Sequence, residues 1–418
     1  MKKRNSKFAK VFALILCTLM LFTACGQGAT PATSPSTGSN AASGDPIKVG
    51  LITPITGAIA ATGTAIRDAA YIYRDYINAN GGINGRPIEL IVEDSANDPT
   101  MASSAMNKLV TQDGVLCVIG SWGSSPTLAS IPIARENEVP IVVETASNWK
   151  VTDKNEEGGP WVFRLSAPSM MEIAVMEDLL LDVMDFQHPY MISSNNDWGH
   201  GNTEEFQHLY NEIYQKPLAG ADFIEGTDTD FSTILAKVDA SGADSIIFTG
   251  DAAQCALVVE QAHNLGLDVR CLGLGMACSL YKIRKLAGDT AAEGFYQTVS
   301  YVGNIDASKS ANPEHAAYLA EQWAAKNYEM MEIQEGARGF GALNVVCEAL
   351  KLIDGEITRA SIRDALEQVE CDDANYGHVK FTEWGNFINQ NVCPVAIIGV
   401  KDGKDIVLQP PTPPVFKE

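Results

Sequence analysis

Positive charge is scarce in this sequence: 30 Lys and Arg stand against 52 Asp and Glu in 418 residues, a formal net charge of −22. The first 24 residues carry five cationic side chains, Lys2, Lys3, Arg4, Lys7 and Lys10, and no acidic one, so the remainder is more acidic still. A surface of that sign argues against nucleic acid as a partner. Histidine is scarce too, with six scattered residues of which only His200 and His208 share a predicted segment. Catalytic signatures are missing: there is no GxSxG elbow, no glycine loop ending in Lys-Ser/Thr, no GxGxxG after a strand and no HExxH. Neither CxxC nor a Cys/His ligand spacing occurs, so no metal set is expected. The expectation is a protein that is not an enzyme and uses no cofactor.

Long apolar runs are also lacking. The one near the N-terminus, Val11–Phe22, is short for a membrane span, follows the basic cluster and precedes small residues, which reads as a signal peptide over residues 1–24. Its end, Phe-Thr-Ala-Cys, resembles a bacterial lipobox, and this resemblance implies that Cys25 is lipidated and becomes the first residue. Phe22 departs from the aliphatic residue usual there. Residues 25–45 form a Gly/Ser/Thr/Pro/Ala tract that cannot build a core and reads as a flexible tether. Anchor, tether and body together imply an extracytoplasmic protein attached to a bacterial membrane through its N-terminal lipid. Of nine cysteines, Cys17 and Cys25 belong to this leader; seven remain, an odd number that cannot all pair internally.

From Ile47 onward, short β-type runs alternate with stretches of helical period. The order is IKVGLI, a helix near 64–80, IELIVED, a helix near 100–112, VLCVIG, a helix near 126–136 and PIVVE. The alternation resumes after residue 165 with a helix near 171–185, PYMIS, a helix near 204–215, ADFIE, a helix near 231–240, DSIIFTG, a helix near 252–265 and VRCLGL. Helices near 340–354 and 361–369 follow. The fold class is therefore α/β, with two doubly wound parallel-sheet lobes. Lobe 1 is expected over 46–165 and 299–376, lobe 2 over 166–298 and 377–411, with a tail at 412–418. The segments FRLSAPS, EGFYQTVSYV and NYGHVKF are available to cross between them.

The stretch VLCVIGSWGSSPT, Val115–Thr127, ends a buried strand at Gly120 and enters a helix through small hydroxyl residues. Such a corner favours anions, because backbone N–H groups and hydroxyls converge there. An ordinary turn with Ser124 or Ser125 as N-cap and Pro126 as the first helical residue reads equally well from this stretch alone.

IKVGLITPITG, INANGGINGRPIELIVEDSANDP, VIGSWGSSPT and DFSTILAKVDASGAD, in this order, resemble the type I periplasmic binding proteins of branched-chain amino-acid ABC importers. The resemblance covers nearly all of the chain after the tether. It implies two lobes joined by three crossing segments, a small-molecule ligand between them, an ABC permease and ATPase as partners, and no catalysis. It places Ser124, with Ser125, at a ligand carboxylate, and Thr145 and Ser147 at a ligand ammonium.

The loop GLGMACS lacks the acid that many relatives supply to that ammonium. Asp251 is one candidate replacement, with helix capping as its other reading, and Glu144 is a second. Thr62 stands where a tyrosine is frequent in the family; Trp198 and Trp122 are expected as ligand walls. With these departures the ligand is an amino acid or a related carboxylate, with amides and aromatic acids as alternatives. A membrane sensor is the alternative partner.

Overall fold

The computed structural model describes residues 42, 44–275, 278–300, 307–329 and 332–415. The segments expected as signal peptide and lipidation site, residues 1–25, and most of the expected tether lie outside the described residues.

The first lobe opens with β1 (Ile47–Thr53), α1 (Ala60–Ala79), β2 (Ile88–Asp94), α2 (Pro99–Lys108), β3 (Cys117–Ile119), α3 (Ser124–Glu136), β4 (Ile141–Val143) and β5 (Val162–Arg164). Local chemistry sets these boundaries. Asp98 accepts from the Met101 N–H at 2.8 Å and Pro99 follows at the first helical position, so α2 starts where capping and proline agree. The second lobe holds α4 (Ser169–Leu180), β6 (Pro189–Ser194), α5 (Asp197–His208), β7 (Gly220–Ile224), α6 (Ser232–Ser241), β8 (Ser245–Thr249), α7 (Ala252–Asn264), β9 (Arg270–Gly273), α8 (Leu280–Ala287) and β10 (Phe295–Val299). The chain then builds α9 (Pro313–Ala325), α10 (Ile333–Lys351), α11 (Arg359–Leu366), β11 (Glu370–Asp373), β12 (Gly377–Trp384) and β13 (Phe387–Asn391), and ends with β14 (Val395–Lys401) and β15 (Lys404–Thr412).

Among the described residues, one sheet runs β11-β12-β13-β5-β4-β3-β1-β2 and the other β15-β14-β10-β9-β8-β6-β7. Each contains five parallel strands in the same winding order, β2-β1-β3-β4-β5 and β7-β6-β8-β9-β10. Both faces of each sheet are covered. Apolar residues of α1 and α10 pack on one face of the first sheet and those of α2 and α3 on the other; α7 and α8 oppose α4 and α5 across the second. This is the doubly wound arrangement expected from the alternation of strand and helix.

Three features differ from the sequence expectation. Residues 377–391, assigned to lobe 2, belong to the first sheet: β12 and β13 pair antiparallel, and β13 lies parallel to β5 with Gln390 opposite Arg164. The last crossing therefore falls at residues 392–394, after NYGHVKF, because a hairpin's own sequence does not say which sheet edge it joins. Second, α10 starts at Ile333 and is buried almost all round, so it shows no polar stripe by which to find its start. Third, α5 begins at Asp197, where Asn196 accepts from the Gly199 N–H at 3.0 Å, and so takes in residues expected as a loop. All seven cysteines of the body are unpaired, six of them buried and Cys371 half-buried.

Candidate ligand-binding cavity

In doubly wound sheets, ligands gather beyond the carboxyl ends of the strands where the strand order reverses. Here a cavity of about 470 Å³ lies there for both lobes. The turns after β3 and β4 contribute Trp122, Ser124, Ser125, Thr145 and Ser147; the turn after β6 and the start of α5 contribute Asn195, Asn196, Asp197, Trp198 and His200. Glu172 of α4 and Glu335 and Arg338 of α10 complete its charged lining.

The corner after β3 is built around Gly120, whose φ of +126° disfavours any side chain and whose Cβ position would lie 2.4 Å from the Ile52 carbonyl oxygen. The cap of α3 is Gly123, with no side-chain cap, so Ser124 and Ser125 are the first helical residues and Pro126 the third. Neither serine is spent on capping, and the leading N–H groups of α3 carry the positive end of its dipole. Ser124 is 4% exposed; its Oγ accepts from the Asn148 N–H at 3.3 Å and keeps its proton to donate. The Thr145 hydroxyl is buried with no partner among the described residues, which suits a group placed for a ligand. The Ser147 carbonyl accepts from the Ser169 N–H at 3.0 Å and from the Ser169 hydroxyl at 3.3 Å, tying the second turn to the start of α4.

The two lobes touch across the cavity mouth. Ser125 Oγ accepts from the Asp197 N–H at 3.2 Å, and Asn148 Nδ2 donates to the Asp197 carbonyl at 2.5 Å. Asn148 is held from behind by Arg164, fully buried, whose Nη1 donates to the Asn148 carbonyl at 2.7 Å and whose Nε donates to Gln390 at 2.6 Å. Gly201 lets α5 approach: a Cβ there would lie 2.8 Å from Asn148 Nδ2. Trp198, expected in a polar loop, sits in the first turn of α5, half-buried, and lines the cavity.

Three expected site residues are elsewhere. Asp251 caps α7, accepting from the N–H groups of Ala253 at 2.8 Å and Gln254 at 3.0 Å, and is absent from the lining. Thr62 is buried within α1 and does not line the cavity either. Glu144 is fully buried and absent from the cavity lining, with both carboxylate oxygens without a hydrogen-bond partner among the described residues, and burial pushes its carboxyl up to about 8. Glu144 follows the fully buried strand β4 and is itself buried, whereas Thr145, the next residue, lines the cavity.

The sequence reading missed Glu172, Glu335 and Arg338. Trp122 Nε1 donates to Glu335 at 3.2 Å, and Arg338 Nε lies 3.1 Å from the same oxygen. Glu172 accepts from the Thr298 hydroxyl at 2.7 Å, and burial pushes its carboxyl up to about 7. Glu172 and Arg338 stand between apolar or small neighbours, Met171 with Ile173 and Ala337 with Gly339, whereas Glu335, beside Gln334, carried no such signal.

Residues 46–404 match the family described as periplasmic binding protein. A leucine-, isoleucine-, valine-, threonine- and alanine-binding protein of Pseudomonas aeruginosa is 26% identical over 346 residues, 82% of this chain and 88% of that protein. A Leu/Ile/Val-binding protein homolog of Brucella melitensis is 25% identical over 347 residues, 81% and 88% of the two chains. Among solved structures, the branched-chain amino-acid substrate-binding protein LivJ of Streptococcus pneumoniae, in complex with isoleucine, superposes with a TM-score of 0.73 at 23% identity, over 88% of this chain and 100% of that one. A solute-binding protein of R. palustris in complex with benzoate gives a TM-score of 0.74 at 20% identity, over 89% and 98%. With its two like-wound lobes and the cavity at their facing strand ends, this chain belongs to the periplasmic binding protein family.

Proposed function

We propose that this protein captures an amino acid or a related small carboxylate between its lobes and delivers it to an ABC permease with its ATPase. The carrying observation is the corner at α3: an uncapped helix N-terminus, the Ser124 hydroxyl and the unpartnered Thr145 hydroxyl meet in one cavity. The carboxylate lies on the N–H groups of α3 with Ser124 and Ser125; Thr145 and Ser147 take the ammonium; Trp122 and Trp198 wall the ligand. Relatives named for leucine, isoleucine and valine support the amino-acid class. The protein is extracytoplasmic, lipidated at Cys25 and tethered through residues 25–45, with lobe 1 over 46–165 and 300–391 and lobe 2 over 166–299 and 395–411.

A thermal-shift screen of the purified protein, refolded to strip carried-over ligand, tests this. Ligand at 100 times its Kd adds about 2.7 kcal/mol, a rise of a few degrees. A response to amino acids supports the reading, and silence toward every amino acid and carboxylate refutes it. The two tryptophans favour one second reading, an aromatic acid, for which benzoate in the same screen is the probe. Release of a Cys25→Ala variant into the soluble fraction is the expected result for the anchor, and retention at the membrane refutes it.

A further inference from the structure

The cavity has a second polar group, linked to the α3 corner through Trp122 and Glu335. Arg338 is 7% exposed and lines the cavity from α10. Its Nε lies 3.1 Å from Glu335 without forming a hydrogen bond to it, and Glu144 and Glu172 are further acids close enough to feel its charge. A buried guanidinium in that condition is costly, and the group whose planar geometry matches its fork is a carboxylate. Glu335 is itself held by Trp122 Nε1, which fixes the ion pair against the wall that carries Trp122.

Resting on the amino-acid reading above, we propose that the ligand carries a second carboxylate, bound by Arg338, while the first lies at the α3 corner. Glu172 supports this group. Burial pushes its carboxyl up to about 7 while the Thr298 hydroxyl and Arg338 hold it down, and a ligand carboxylate beside it would push it further up, toward the protonated form that donates. A leucine-like side chain in the same place leaves the guanidinium donors without acceptors, whereas an acidic side chain satisfies them.

Calorimetric titration of the purified protein with L-glutamate, L-glutamine and L-leucine tests this, because glutamine has the shape of glutamate without its second charge. The wild type is expected to prefer glutamate over glutamine by roughly tenfold to a hundredfold. R338Q removes that preference; the double variant E335Q/R338Q does so without leaving Glu335 unpaired, and its melting temperature verifies that it folds. The readout is the glutamate-to-glutamine affinity ratio within each variant, which is expected to fall to about one whatever the substitutions do to the absolute affinities. Equal wild-type affinities for glutamate and glutamine, or a preference surviving in the double variant, would overturn the proposal. Leucine binding without any glutamate preference sinks this inference and leaves the amino-acid reading standing; no binding of the three in a protein that answers only to benzoate sinks both.

Discussion

Asn148→Ala probes how the cleft is held shut. The substitution deletes two contacts: the bond from Nδ2 to the Asp197 carbonyl across the mouth, and the bond that Oδ1 accepts from the Lys150 N–H at 2.9 Å within its own turn. The backbone groups of residue 148, which bond Ser124 and Arg164, are untouched. A net hydrogen bond contributes about 1 kcal/mol, and only the first of the two acts between lobes, so closure weakens by roughly fivefold. If the free protein is mostly open, the ligand Kd rises by that same factor. Calorimetry on the ligand found by screening reads the change, and small-angle scattering without ligand reads the radius of gyration. Gly201→Ala attacks the contact from the other side, by crowding Asn148 Nδ2, and should act in the same direction. Unchanged Kd and unchanged scattering in both variants would refute the argument, and a fall in melting temperature alone would make Asn148 only a turn residue.

Ser124→Ala should weaken a carboxylate ligand by about tenfold, because a charge-assisted donor is lost; an unaltered calorimetric Kd removes Ser124 from the site. Asp251→Ala removes the α7 cap and should cost about 1 kcal/mol in denaturant unfolding while leaving ligand affinity alone. A selective loss for ammonium-bearing ligands would instead return Asp251 to the cavity. For Glu144 the folded carboxyl titrates near 8 against 4.5 when free, so the native state holds its proton where the unfolded state has lost it. Its stability is highest below about 4.5 and falls as pH rises toward 8, by up to tenfold in the folding constant per pH unit. Glu144→Gln should flatten that fall, and melting curves that stay parallel between pH 5 and pH 8 would show that Glu144 does not titrate as described.

The β-α alternation was legible because burial of parallel strands and amphipathic helices leaves a periodic trace, and the corner at Gly120–Thr127 was legible because its turn chemistry is local. Glu335 and Arg338 were not. Charged residues read as solvent-facing in a sequence, and their burial here follows from the enclosure of α10 between α1 and the cavity. Asp251 shows the converse: an acid at a strand end satisfies the helix that follows it before it can serve a ligand. The placement of β12 and β13 in the first sheet was beyond local reading for a third reason, since edge pairing is decided by which strand has open N–H and C=O groups in the assembled lobe.

The contacts at the mouth have an evolutionary consequence. Ser125 and Asn148 both grip the peptide groups of Asp197, not its carboxylate. Position 197 is thus free to diverge without loss of the grip, and its side chain, at the exposed rim, can change as the diet of the organism changes. Selection for shutting instead bears on Asn148 and on the bare Cα of Gly201. A lineage that altered its nutrient would be expected to rewrite the rim first and those two positions last.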